Sequence, residues 1–148
     1  MKNILLISFL YCSQILGSEI ERFQLPVEAN RTINLSIWDS QQPKTILFIH
    51  GTASYGELYS SFLNLLAKNF NIVSVDLMGH GLSGATGTFN TKKIMNDLKI
   101  ATTYALNRFK GGLGVLGTSQ GGEFAALMAA EDSRIDAVLS HGLFDGAV

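Results

Sequence analysis

Leu116-Gly117-Thr118-Ser119-Gln120-Gly121-Gly122 sets a serine in the pattern G-x-S-x-G, between a run that reads as a strand, Leu113 to Leu116, and a small-residue run that reads as a helix, Gly121 to Ala130. Small residues are needed on both sides of such a serine. On a sharp strand-to-helix turn the backbone angles are strained, and only neighbours without side chains let strand and helix approach each other. The turn lifts Oγ of Ser119 above the sheet edge and points the amide of Gln120, at the positive end of the helix, toward the same space. A nucleophile and one oxyanion donor thus come from adjacent residues. In the competing reading Ser119 only caps the helix and the glycines only permit packing.

Upstream of this turn, short β-rich runs alternate with longer amphipathic ones. Glu21 to Val27, Thr32 to Asp39 and Thr45 to His50 read as three strands. The first two alternate, as half-buried strands do, whereas Thr45 to Ile49 is a continuous run that fits a parallel sheet covered on both faces. The sheet is therefore expected to begin antiparallel and turn parallel. Leu58, Phe62, Leu65 and Leu66 recur at helical spacing, and Asn71 to Asp76 supplies the next strand of a βαβ crossover. After the glycine-rich stretch from Met78 to Gly87 comes a long helix, capped by Asn90 or Thr91, with Ile94, Leu98, Ala101 and Ala105 as its buried stripe, running to about Phe109. Gly111 and Gly112 stop it. Ala137 to Ser140 reads as a sixth strand, and no repeat or linker interrupts what is one α/β layer fold.

The 148 residues carry 11 Lys+Arg and 12 Asp+Glu, a net charge of −1, with 47% hydrophobic residues: enough apolar material for one core and too much for a disordered chain. The cations are scattered and form no basic stripe, so no nucleic-acid partner is expected. A single cysteine, Cys12, excludes a disulfide framework within the chain and any multi-thiolate zinc site, and the three histidines lie in different loops without metal-ligand spacing. Neither metal nor cofactor is expected. Gly112-Leu113-Gly114-Val115-Leu116-Gly117 does satisfy G-x-G-x-x-G, with Asp136 downstream. A dinucleotide fingerprint, however, follows a strand and opens a helix, whereas this one follows a helix and contains the strand.

Residues 1–18 begin with Lys2, continue through the apolar run Ile4 to Leu10, and end in Gly17 and Ser18 before the first acid, Glu19. That is the order of a secretory signal peptide, in a run short of the roughly 20 apolar residues that span a bilayer. Cleavage after Ser18 is the expectation, giving a secreted or periplasmic protein without cysteine. The alternatives are a buried first strand or a short interfacial anchor. Tyr11 before Cys12 disfavours a lipoprotein signal.

His50-Gly51-Thr52-Ala53 ends the third strand, and Asp76-Leu77-Met78-Gly79-His80-Gly81-Leu82-Ser83 ends the fourth. With the serine turn after the fifth, the chain resembles the α/β-hydrolase superfamily over about residues 21–141, whose members carry an H-G pair, a D-x-x-G-H-G-x-S turn and a nucleophile elbow in this order. The resemblance implies a three-layer sandwich with a mostly parallel sheet, running here to about strand six. It also implies a serine hydrolase acting on small-molecule carboxylic esters. Ser119 is then the nucleophile, and the backbone amides of Gln120 and Thr52 are the oxyanion donors. Supporting roles fall to His50, Gly51, Asp76, His80, Gly117 and Gly121, with His50 bracing the loop after strand three and Asp76 and His80 holding the glycine-rich turn. Tyr55 and Tyr59 are candidates for the pocket mouth, or alternatively half-buried aromatics at a helix start.

The family places its acid and its histidine after the serine. Here His50 and His80 precede Ser119, His141 closes strand six, and Asp145 matches the position where a minority of the family carries the acid, with no histidine after it. The expectation is therefore the N-terminal portion of a hydrolase domain, residues 19–148, lacking the late base and the substrate-covering cap. The alternative is a non-catalytic remnant or binding module that keeps the first half of the fold. In the family strand six pairs with a seventh strand. Without one, Ala137 to Ser140 presents an apolar edge, and self-association through it is expected.

Overall fold

The computed structural model describes residues 19–84 and 89–142. Six strands form a single sheet: β1 (Glu21–Glu28), β2 (Arg31–Trp38), β3 (Lys44–Ile49), β4 (Asn71–Val75), β5 (Gly112–Thr118) and β6 (Ala137–His141). Their spatial order is β1-β2-β4-β3-β5-β6. β1 with β2 and β2 with β4 are antiparallel, while β3 runs parallel to both β4 and β5, and β5 to β6. The change from antiparallel to parallel follows the change from alternating to continuously apolar strands. α1 (Ser60–Leu66, preceded by a 3₁₀ turn at Gly56–Tyr59) crosses one face of the sheet, and α2 (Thr91–Arg108) and α3 (Gln120–Glu131) cover the other. None of the described helices is long and apolar enough to cross a membrane.

Alternation along the strands divides the core in two. Leu47, Ile49, Val73, Val75, Leu113 and Val115 pack with Ile94, Leu98, Ala101 and Ala105 of α2 and Phe124, Ala125 and Met128 of α3. Phe48, Ile72 and Leu116 pack with Trp38 and with Leu63 of α1 in a smaller cluster. The buried stripe of α2 is the one its periodicity indicates. Asn90 is its cap, with Oδ1 accepting the Lys93 N–H at 3.0 Å, a contact worth about 1 kcal/mol. Asp97 of the same helix takes both terminal nitrogens of Arg31 at 2.6 and 2.7 Å, a buried bidentate pair that ties α2 to β2.

Two readings of faces need correction. β2 alternates but is not half buried: Asn34 and Ser36 are as inaccessible as Ile33, Leu35 and Ile37. Its polar side lies under the loops that follow β3 and β4, where hydrogen bonds to Asp76, Ser83 and Glu57 make burial of polar groups tolerable. Of the helical stripe Leu58, Phe62, Leu65 and Leu66, the first three are exposed and Leu66 packs partly buried against the smaller cluster, while the fully buried residue of α1 is Leu63, outside the stripe. A short helix with apolar residues on two sides satisfies helical periodicity twice, and periodicity cannot say which side meets the sheet.

The face under α1 is only partly covered. A groove of about 870 Å³ runs between Phe62, Leu66 and Phe70 on one side and Ile46, Leu116 and Leu139 on the sheet. Among the described residues β6 is a sheet edge, and Leu139 is 62% exposed.

Candidate active site

The serine turn is strained as its sequence requires. Ser119 has φ 53° and ψ −126°, a conformation that residues bearing a Cβ seldom adopt. Its amide donates to the His141 carbonyl at 2.7 Å and its carbonyl accepts the Gly122 N–H at 2.8 Å, so the strand end and the helix start hold it from both sides. Its hydroxyl makes no capping hydrogen bond, which removes the reading of Ser119 as only a helix cap. The glycines are sterically required. A Cβ on Gly117 would run into the backbone of Gly121, and one on Gly121 into the carbonyls of Ile49 and His50. Gln120 opens α3, so its amide has no intrahelical acceptor.

The loop after β3 lies directly against this turn. A Cβ on Gly51 would sit 3.0 Å from the Ser119 Cβ and 3.6 Å from its Oγ. The Thr52 hydroxyl donates to Gln120 Oε1 at 3.2 Å, so the structure brings together the two residues whose amides the resemblance names. Ala53, next in the loop, has φ 54°, a second strained position within the same few residues.

His50 is fully buried, and both of its ring nitrogens are engaged. Nε2 accepts the Leu77 N–H at 2.9 Å, which obliges Nδ1 to carry the proton and donate to the Gly51 carbonyl 2.7 Å away. Burial pushes its pKa below the usual histidine range, and the neighbouring His80 ring, 5.2 Å between centroids, acts in the same direction. A neutral imidazole with no free nitrogen braces two loops and has none left to accept a proton.

Asp76 does more than hold its own turn. Oδ2 accepts the Leu82 N–H at 3.0 Å and Asn34 Nδ2 at 3.1 Å, while Oδ1 accepts the Gly56 N–H at 2.7 Å from the far end of the loop after β3. The Ser83 hydroxyl donates to the Asp76 carbonyl at 2.6 Å and accepts the Asn34 N–H at 2.8 Å. His80 Nδ1 lies 3.1 Å from the Met78 carbonyl, within the turn. Sequence reasoning missed Asn34, Ser83 and Gly56. The D-x-x-G-H-G-x-S pattern contains Ser83, and the polar positions of β2 were the available hint of Asn34.

The remaining candidates fall elsewhere. His141 pairs with Thr118 across the β5–β6 ladder and is exposed. Asp145 lies outside the described residues. The Tyr59 ring packs on Phe48 at 5.0 Å and its hydroxyl is 3.4 Å from Thr118 Oγ1, whereas Tyr55 is exposed. Gly112 to Gly117 lie inside β5, and Asp136 accepts the Leu113 N–H at 2.8 Å, so the glycines that resemble a dinucleotide loop belong to a strand whose start Asp136 holds.

The model of a family described as alpha/beta hydrolase fold matches residues 44–145. The chain belongs to the α/β-hydrolase fold family. The structures of known hydrolases agree with this. An esterase of Pyrococcus furiosus superposes with a TM-score of 0.73 at 24% identity, over 84% of this chain and 49% of the esterase. A thioesterase domain from the curacin biosynthetic pathway gives 0.68 at 22% identity, over 81% of this chain and 45% of that domain. A haloalkane dehalogenase of Bradyrhizobium elkanii gives 0.68 at 19% identity, over 79% and 38%. At these identities the likeness is one of fold. The chain spans about half the length of the esterase structures it matches. Among curated proteins no match is found.

Proposed function

We propose that this α/β-hydrolase chain carries the nucleophile half of a serine hydrolase site. Ser119 Oγ attacks an acyl carbonyl, and the amides of Gln120 and Thr52 receive the oxygen that becomes negative. The observation that carries this reading is the strained Ser119 conformation with Gly51 packed against its side chain. A strained residue carrying a side chain persists only where its surroundings over-determine it, and here the strain presents a hydroxyl at a helix N-terminus. An esterase and a thioesterase domain among the structural neighbours favour an acyl ester of a small molecule as the bond cleaved.

No general base is assigned among the described residues: the exposed His141 ends β6, and no described hydrogen bond of its ring joins it to Ser119. His50 has no free nitrogen, and His80 faces its own turn. Asp145 is the acid the resemblance suggests. Without its base, a serine site keeps about 10³- to 10⁴-fold over the uncatalysed rate from oxyanion stabilisation and binding. Export after cleavage at Ser18 belongs to the same proposal and is checked by sequencing the N-terminus of the secreted product.

The test exposes the full chain to a fluorophosphonate probe and to p-nitrophenyl acetate. Slow labelling at Ser119, found by peptide mapping, and trace hydrolysis that both disappear in Ser119→Ala support the reading. Neither labelling nor hydrolysis above background in wild type leaves the non-catalytic remnant or binding module as the correct description, and activity that persists in Ser119→Ala shows that Ser119 is not the nucleophile.

A further inference from the structure

We propose that the side chains of Thr52 and Gln120 are positioning groups for the two oxyanion donors: their hydrogen bond clasps the loop after β3 to the first turn of α3 and so sets the distance between the two backbone amides. This role rests on the reading of Ser119 as the nucleophile, and it gives a task to side chains of which that reading uses only the backbone.

An oxyanion hole works only when both donors lie about 2.7–3.1 Å from one oxygen. The two donors here are unequally supported. Gln120 is the first residue of α3, and Ser119 before it is held by the His141 carbonyl and the Gly122 amide. The Thr52 amide sits in a loop. Its peptide unit is held at the carbonyl, where the His50 ring donates to Gly51 at 2.7 Å. A trans peptide is planar with its N–H opposed to its C=O, so that bond turns the Thr52 N–H away from the His50 ring. One bond at the carbonyl still leaves the plane free to tilt. The next anchor along the chain is the Gly56 amide on Asp76 Oδ1. Between these anchors, among the described residues, the bond from Thr52 Oγ1 to Gln120 Oε1 at 3.2 Å is the one hydrogen bond that ties residues 52–55 to a part of the chain distant in sequence.

The backbone next to it supplies a second, independent observation. Ala53 has φ 54°. A residue with a Cβ keeps such a conformation only where its surroundings over-determine it, and the clasp is the hold adjacent to it. With the carbonyl end of the Gly51–Thr52 peptide on His50 and its Thr52 end on Gln120, the plane that carries the donor is fixed at both ends. The Thr52–Gln120 bond is also solvent-accessible, and changes at accessible positions add or remove little stability. Breaking it therefore separates positioning from folding.

The full chain, Thr52→Val, Gln120→Leu, the double variant and Thr52→Ser are compared by the rate at which a fluorophosphonate labels Ser119. In that reaction Oγ bonds to phosphorus, fluoride leaves with the P–F electron pair, the serine proton passes to water, and the phosphoryl oxygen takes the oxyanion position. Thr52→Val and Gln120→Leu are each expected to label about tenfold more slowly, short of the roughly 10²–10³ lost with a whole oxyanion donor. The double variant is expected to lose the same tenfold and not about a hundredfold, because the second change finds no clasp left to break. Thr52→Ser keeps the hydroxyl and restores most of the loss, while the thermal midpoints stay at the wild-type value. A second measurement does not use reactivity: NMR relaxation gives the order parameters of the Thr52 and Ala53 amides, expected at about 0.85 in wild type and about 0.6 or below in Gln120→Leu. A labelled wild type with no loss in either single variant overturns the clasp and leaves the Ser119 reading standing. So does a double variant slowed by the product of the singles, a loss of labelling matched by a fall in thermal midpoint, or order parameters that do not change. A wild-type chain that the probe leaves unlabelled overturns the nucleophile reading and the positioning role with it.

Discussion

Replacing Ser119 by glycine removes the hydroxyl and the backbone strain together, and comparison with alanine separates them. A residue with a Cβ at φ 53°, ψ −126° carries a conformational cost of about 1–3 kcal/mol. Glycine escapes that cost but loses more chain entropy on folding, about 0.4–1 kcal/mol. The balance favours Ser119→Gly by about 1 kcal/mol, which in a domain of this size raises the melting temperature by about 2–4 °C. Ser119→Ala keeps both the Cβ and the strain. Since the hydroxyl makes no capping bond, it should lie within about 0.5 kcal/mol of wild type. Urea denaturation of the three proteins, with free energy and m-value fitted separately, measures the difference. The most stable of the three is then one without the serine, as expected if strain is held at this turn. Ser119→Gly equal to or less stable than Ser119→Ala would refute the claim that strain is stored at this turn.

Gly121→Ala should cost about 3 kcal/mol, the upper part of the overpacking range, because the added methyl meets the Ile49 and His50 carbonyls rather than a movable side chain. Gly114→Ala, whose Cβ meets nothing closer than 3.7 Å, should change stability by less than about 0.5 kcal/mol, and thermal melts of the pair report both. His50, with its folded pKa pushed below the ordinary 6.5, binds fewer protons folded than unfolded. Its contribution is complete above the unfolded pKa and is lost as pH falls through the folded one, with a limiting slope of about 1.4 kcal/mol per pH unit. Stability measured from pH 7 down to pH 5 should therefore fall more steeply in wild type than in His50→Gln, and equal slopes would contradict the buried neutral imidazole.

What the sequence disclosed was local. The elbow needs its glycines within three residues of the serine, and the stripe of α2 is written in one continuous segment, so both could be read from neighbouring letters. The choice between two apolar sides of α1 depends on where the sheet lies, which no seven-residue window contains. Asn34 was only hinted at, by its polar position in β2, for a related reason. Its partners Asp76 and Ser83 are more than forty residues away, and an asparagine in an alternating strand reads as a solvent-facing residue until those loops fold over it. The supporting shell of the serine site is thus a product of topology, assembled by β2 and β4 lying side by side. Only its two ends, the H-G pair and the D-x-x-G-H-G-x-S turn, were visible as motifs.

The 2.7 Å bond from the Ser119 amide to the His141 carbonyl has a thermodynamic meaning beyond holding the turn. His141 is the last residue of β6, which among the described residues is the edge strand of the sheet, so that strand also fixes the position of the serine amide. Edge strand and serine turn are thereby mechanically linked. Any ligand that pairs with β6 and shifts the affinity of Ser119 for a reversible adduct by some factor must have its own affinity for the strand shifted by that same factor once the serine site is occupied at equilibrium, because the two free-energy changes close one cycle. A reversible boronate at the serine is therefore a reporter of what lies on the strand, readable as a change in association constant with no structural measurement at all.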